Sequence, residues 1–342
     1  MPAPPPQPPE DQAPAPPRNI VACAFDGVNL LNLAGPLHCF ATLERLPETR
    51  GRRLYRNRVV SAHGGLVETS AGLSIATEPF AALDDEAIDT LLIPGGRPLV
   101  RPEAHPELLD WVRHRAPAAR RVCAIGAGMI ALAATGLLDG RRAVSHWSSL
   151  ELMARRYPKV RLQSDALFLH DGSYWTTAGG AAGIDLALRL ITDDLGQRLG
   201  LAVARFLALY AKRSGEEPQL SSALALQGTG GRFERLAEWI AANLDRPLSL
   251  TLLADQAGMS VRNFSRAYAA ATGASPMKTV EAMRLELAAR LLADPEMRVP
   301  EIARRAGFGD DERMRRAFLR RFGLSPLEYR QRSDSPDTGP AI

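Results

Sequence analysis

From Asn19 the chain alternates short, unbroken apolar runs with longer stretches of helical period. Residues 20–25 form the first run, and Asp26-Gly27 turns the chain after it. A helix is predicted from Gly35-Pro36 to about Leu46, and residues 58–61 and 73–76 read as strands. Residues 90–93 are an apolar run stopped by Pro94-Gly95-Gly96. Residues 121–125 are another, stopped by Gly126-Ala127-Gly128. Helices are predicted over 105–115 and from the second glycine turn to Leu138. Strands that are apolar throughout are buried on both faces, and the helices between them supply the cover. The pattern therefore predicts a parallel α/β sandwich. Such sheets bind ligands at the carboxyl ends of their strands, where both glycine-rich turns fall. A hairpin is predicted over 165–175 with Asp171-Gly172 at its turn, then helices over 181–195 and 199–212.

Residues 213–231 carry clusters of Ser, Gly, Glu and Pro and read as a linker. Residues 232–332 are helical in pattern throughout and contain one motif written twice. The first copy runs from Leu253 through Gly258 and Phe264 to Gly273-Ala274-Ser275-Pro276. The second runs from Ile302 through Gly307 and Met314 to Gly323-Leu324-Ser325-Pro326. The offset is 49 up to the turn and 50 beyond it, so the second turn is one residue longer. In each copy small alanines (Ala254 and Ala257; Ala303 and Ala306) let two helices cross closely. Gly258 and Gly307 supply the positive φ that ends the first helix. The second helix buries Phe264 and Tyr268, or Met314 and Phe318. That spacing turns Arg262, Ser265 and Arg266, or Glu312, Arg315 and Arg316, outward, and Asn263 and Arg313 beside them are further candidate DNA contacts. A solvated helix face is the plain alternative for any run of arginines. The recurrence of matching turn glycines and Ser-Pro helix starts favours two helix-turn-helix units that enter the major groove of DNA. Arginine there grips guanine with two hydrogen bonds, and glutamate accepts from cytosine.

Charge supports this placement. Residues 232–332 hold 18 basic and 13 acidic residues, whereas residues 1–231 hold 24 and 23, so the excess of cations sits on the repeat. All but three of the 42 basic residues are arginine, the side chain whose fork suits phosphate and guanine. Hydrophobic and charged fractions of 46% and 23% are those of an ordinary soluble protein. The most apolar stretch, residues 122–138, contains three glycines and reads as a buried turn and helix, not a membrane span. Residues 1–18 are rich in proline and lack a basic start before an apolar core, so a disordered tail is expected and not a signal peptide. Residues 333–342 are expected to be a second disordered tail. Cys23, Cys39 and Cys123 show no metal-type spacing and read as reduced thiols of a cytoplasmic protein. No cofactor and no metal are expected.

Residues 232–332 closely resemble the DNA-binding domain of the AraC/XylS family of bacterial transcription regulators. The resemblance rests on residues 284–292, similar to that family's connecting helix, on Glu301-Ile302-Ala303 with Ala306-Gly307-Phe308, and on the closing residues 323–330. It implies two recognition helices in successive major grooves, covering roughly 20 base pairs, and recruitment of RNA polymerase as an activator. Arg313 departs from the family, which usually has threonine or an aromatic there.

Residues 19–212 resemble the intracellular-protease/amidotransferase-like superfamily, a flavodoxin-like sandwich. With the helical tail the whole chain is similar to the GlxA subfamily of regulators. The match is carried by Asn32-Leu33-Ala34-Gly35-Pro36, Pro94-Gly95-Gly96, residues 136–142, Ser145-His146-Trp147 and Thr177-Ala178-Gly179-Gly180 with Gly183-Ile184-Asp185. Two positions depart from its catalytic pattern. Gly126 stands where the superfamily has its cysteine on the strand-to-helix turn, and Asn32 where it usually has aspartate. Glycine has no nucleophile and asparagine is no base. Cys123, three residues earlier, reads as an inert core thiol. The expected protein is thus an α/β flavodoxin-like sandwich followed by an all-α double helix-turn-helix domain, and not an enzyme. A fused hydrolase is the alternative, and it requires turnover that depends on Cys123. Asn32, Gly95, Gly96, Gly126, Ala127, His146 and Trp147 are expected to line the vacated cleft. Two mechanisms are open at this point. Either a small-molecule effector binds there, or the site is vestigial and the domain only makes a homodimer.

Overall fold

The computed structural model describes residues 16–164, 166–209, 213–220, 232–294 and 296–334. The two expected tails, except for residues 16–18 and 333–334, lie outside the described residues. So do Asp165 of the hairpin, residues 210–212 of the expected helix and residues 221–231 of the linker.

The first part is built on an eight-stranded sheet. Its strands are β1 (Arg18–Cys23), β2 (Tyr55–Ser61), β3 (His63–Glu68), β4 (Ser74–Pro79), β5 (Thr90–Pro94), β6 (Arg121–Ile125), β9 (Phe168–Asp171) and β10 (Tyr174–Thr177). The order is β3-β4-β2-β1-β5-β6-β10-β9. The six inner strands run parallel, and β3 and β9 close the two edges antiparallel. β5 and β6 are buried at every position, as their unbroken apolar runs require. Two short strands, β7 (Arg142–Val144) and β8 (Arg161–Gln163), pair separately.

Among the described residues this part has six α-helices: α1 (Leu30–Thr42), α2 (Pro106–Arg115), α3 (Gly128–Ala134), α4 (Leu150–Arg156), α5 (Ala182–Leu195) and α6 (Gln197–Phe206). α1 begins five residues before the expected start, because the Asn29 side chain caps it by accepting from the Asn32 amide at 3.1 Å. Pro36 is therefore inside the helix and not at its start. β3 was not expected, since Gly64-Gly65 breaks its apolar pattern; both glycines have positive φ.

At the amino ends of the strands, Asp194 of α5 gathers Arg18, Arg120, Arg121 and Tyr55. Burial alone would raise its pKa, but the hydrogen bonds and charges of those partners hold it below the usual carboxylate value. The opposite, carboxyl ends carry the glycine turns.

The second part is wholly helical among its described residues: α7 (Arg232–Ala242), α8 (Leu250–Gln256), α9 (Val261–Thr272), α10 (Pro276–Leu292), α11 (Val299–Arg305), α12 (Asp311–Phe322) and α13 (Pro326–Asp334). It holds two cores, not one. The first centres on Phe233, Ile240, Leu253, Phe264 and Tyr268. The second centres on Ile302, Ala303, Met314, Phe318 and Tyr329. α10 belongs to both: Val280 and Met283 pack in the first, Leu285, Ala288 and Leu292 in the second. A helix buried on successive faces by two bodies fixes their mutual orientation.

Candidate functional site

Each core presents one helix to solvent. In α9, Phe264 and Tyr268 are fully buried, while Arg262, Asn263 and Arg266 are exposed and Ser265 is half-buried. Asn263 Oδ1 accepts from Arg266 at 3.4 Å. In α12, Met314 and Phe318 are fully buried, and Glu312, Arg313, Arg315 and Arg316 are exposed. The structure thus puts all four expected contact residues of each helix beside or on its outer face.

The two helices are not chemically alike. α9 carries no acid in its first turn, whereas α12 starts Asp310-Asp311-Glu312. Asp310 caps α12 by accepting from the Arg313 amide at 2.7 Å. Glu312 accepts from Arg315 at 2.8 and 3.2 Å and pairs with Arg316 at 3.7 Å. The Arg315 hydrogen bonds hold the Glu312 carboxyl below its ordinary pKa.

The turn glycines also differ. A Cβ on Gly258 would meet nothing within 4 Å, but one on Gly307 would lie 1.7 Å from the Leu244 carbonyl. That carbonyl accepts from Arg284 of α10, which also donates to Arg246. Gly307 is needed both for its φ of 79° and for this approach of the first unit to the second.

At the carboxyl end of β6 the chain turns sharply at Gly126, which carries no side chain. Gly126 has φ 57°, and its amide donates to the Thr177 carbonyl at 2.9 Å, so that amide does not face a ligand. Asn32 is buried; its Oδ1 accepts from the Gly180 amide at 2.6 Å. Its Nδ2 would lie 2.9 Å from a Cβ on Gly95 and 3.2 Å from one on Gly126. The asparagine amide therefore fills the space between the two glycine turns. Gly96 bridges to Val28, and Ala127 is the first capping residue of the short helix α3.

His146 is half-buried, with Nδ1 2.7 Å from the Ser148 hydroxyl, and burial lowers its pKa. Trp147 is 55% exposed, beside the His146 ring. The residue brought against Gly126 is their neighbour Ser145, whose fully buried hydroxyl donates to the Gly126 carbonyl at 3.5 Å. Sequence reasoning passed over it; its only signal was its place in the Ser-His-Trp run. Cys123 is fully buried in β6 and desolvation pushes its thiol up to about 12. That value removes thiolate character at neutral pH. Among the described residues no group of three or more His, Cys, Asp or Glu is arranged to hold a metal ion. No helix among them is long and apolar enough to cross a membrane.

The chain matches two protein families. Residues 18–193 match the DJ-1/PfpI family, and residues 253–332 match a helix-turn-helix domain of the AraC type. The HTH-type transcriptional regulator CdhR of Pseudomonas aeruginosa is 30% identical over 81% of this chain and 82% of its own length. The regulator GbdR of the same organism is 29% identical over 92% and 84%. The chain is an AraC-type regulator of the DJ-1/PfpI family. It is a DNA-binding regulator of transcription, and its sheet is the mostly parallel, flavodoxin-like one expected from the sequence. Isonitrile hydratase of Pseudomonas putida is 31% identical over 50% of the regulator and 70% of the enzyme.

The regulator has a strap between its two parts. Residues 213–220 fall within the expected linker but are held by side chains. Arg213 pairs with the buried Asp185 of α5 at 2.6 Å. Gln219 donates to the Ser145 carbonyl at 2.8 Å and accepts from the Trp147 amide at 2.9 Å. The Ser214 hydroxyl lies 2.6 Å from that of Tyr329, in the second helical core. A cavity of about 400 Å³ opens beside the strap, with Trp175, Arg213, Glu217, Phe322 and Tyr329 among its walls. Glu217 is half-buried there, and desolvation raises its carboxyl to about 7.

Proposed function

We propose that one copy of the regulator reads an asymmetric DNA site with two unequal helices. Arg262, Asn263, Ser265 and Arg266 of α9 enter one major groove, and Glu312, Arg313, Arg315 and Arg316 of α12 the next. The observation that carries this reading is α10, whose residues are buried in both helical cores and so set both heads on one body. The heads then sit one turn of duplex apart. The protein acts in the cytoplasm as a homodimer that recruits RNA polymerase. Arg262→Ala tests the groove assignment. It relaxes preference at one base position and costs about 1–3 kcal/mol on the preferred site. A uniform loss across all sequences places Arg262 on phosphate and contradicts it.

The first domain is non-catalytic in this reading. The kinship with isonitrile hydratase keeps an enzyme in view, but three features oppose it here: Gly126 has no side chain, Asn32 is an amide and no base, and Cys123 is buried with its thiol pKa raised. The domain works instead as a sensor. Hydrogen bonds join Gly126 to Ser145 and Ser145 to Gln219 at one end of the strap and Ser214 to Tyr329 at the other, so the strap itself connects the turn to the second head. A small-molecule effector at the turn, or in the cavity beside the strap, biases the placement of the heads through it. Thermal-shift screening of small metabolites tests this. Stabilisation supports a sensor; none across the screen favours a domain that only dimerises.

A further inference from the structure

α12 carries a second arginine face that shares Arg313 and Arg316 with the groove-reading one and extends it to Arg320. Arg313, Arg316 and Arg320 follow at intervals of three and four, so they lie on one side of the helix. Across from them is α10, and between the two helices is a cavity of about 330 Å³. Arg284 and Glu281 of α10 and Phe308 complete its walls. The cavity holds four guanidinium groups and one carboxylate. Glu281 is paired with Arg320 at 3.1 and 3.2 Å. Arg284 is held by the carbonyls of Leu244 and Arg246, and its pKa is lowered by burial and then by the charge of Arg313. The like charges thus repel one another across the notch. Such a cluster is unfavourable in the free protein and suits an anion.

Its position narrows the anion. The notch lies at the seam of the two heads, since Val280 on its wall belongs to the first core and Phe308 to the second. Two helices in successive major grooves of one duplex face are separated by a minor groove with its two phosphate strands. We propose that Arg313, Arg316 and Arg320 hold a backbone phosphate of the DNA between the two grooves. The inference rests on the DNA reading above and assigns the notch to a phosphodiester, with Arg313 and Arg316 at the border of the groove-reading face. Glu281 acts as a brake, because it occupies Arg320 when DNA is absent.

Phosphate contacts are independent of sequence, so the test needs no operator. The full chain is titrated with an arbitrary 30-bp duplex between about 50 and 200 mM salt, with fluorescence anisotropy as readout. Each phosphate contact contributes about 0.9 to the slope of log K against log salt. Arg313→Gln with Arg320→Gln lowers the slope by about 0.9. Glu281→Gln strengthens binding severalfold and steepens the slope; a purely structural ion pair gives no gain. Arg155→Gln, on the exposed side of α4 in the first domain, is the charge control, and melting curves check folding. An unmoved slope in the double variant, or weaker binding by Glu281→Gln, overturns the notch while the DNA reading stands. A native chain that binds no duplex overturns the DNA reading, and the notch with it.

Discussion

Ser214 and Tyr329 place their hydroxyl groups 2.6 Å apart and so join the strap to the core of the second head. Tyr329 is otherwise a packing residue, edge-on to Phe318 and tilted against Phe322. Burial and the nearby Glu217 charge push its phenol above the usual pKa, so it stays protonated and free to donate. The bond is expected to couple the two residues by about 1 kcal/mol. A double-mutant cycle of Ser214→Ala and Tyr329→Phe, read by urea unfolding of the full chain, measures it. Simple additivity of the two losses contradicts the coupling.

Glu217 gives the strap a dependence on pH. Its folded pKa is about 7, and an unfolded glutamate titrates near 4.5. Between those values the folded form holds more protons than the unfolded one, so stability falls as pH rises through that window and levels off above it. The full span is about 3 kcal/mol. Arg213 and Arg290 oppose the shift and Asp185 adds to it. Melting temperature measured from pH 5 to 8 is expected to fall for the native chain and to change much less for Glu217→Gln. Parallel curves count against the assignment.

The paired turn glycines are expected to respond differently. Gly258→Ala meets open space and costs only the positive-φ strain, roughly 1–2 kcal/mol. Gly307→Ala adds a clash with the Leu244 carbonyl and costs about 3 kcal/mol or more. Thermal unfolding of the two variants decides it, and equal losses contradict the unequal packing.

Much of the architecture was legible in the sequence. The runs at 90–93 and 121–125 gave β5 and β6 because strands buried on both faces are apolar at every position. The repeat gave both heads. Composition could not separate Gly258 from Gly307, because the difference lies in a carbonyl 63 residues away in the chain. Nor could it find the strap. Ser, Glu and Pro at 213–220 signal a turn, whereas the role of Gln219 depends on two backbone groups of the first domain. The start of α1 depended on one capping side chain, Asn29, which the stronger Gly35-Pro36 signal concealed.

Glu312 restrains two of the arginines on the second head. Glu312→Gln frees Arg315 and Arg316, which then bind duplex of any sequence more tightly. The expected result is a severalfold gain on arbitrary DNA, a steeper salt dependence and weaker discrimination among sites. Competition titrations of preferred against arbitrary duplex measure all three. Unchanged discrimination removes Glu312 from the reading face.

A single chain is expected to read an asymmetric site with two unlike helices. Selection of bound duplexes from a randomised library, followed by sequencing, tests it most directly. The expected motif has two dissimilar parts whose centres lie about 10 base pairs apart, with guanine-rich positions in the part read by Arg262 and Arg266. Arg262→Ala is expected to blur one part and leave the other sharp. A motif with one part only, or two identical parts, contradicts the account.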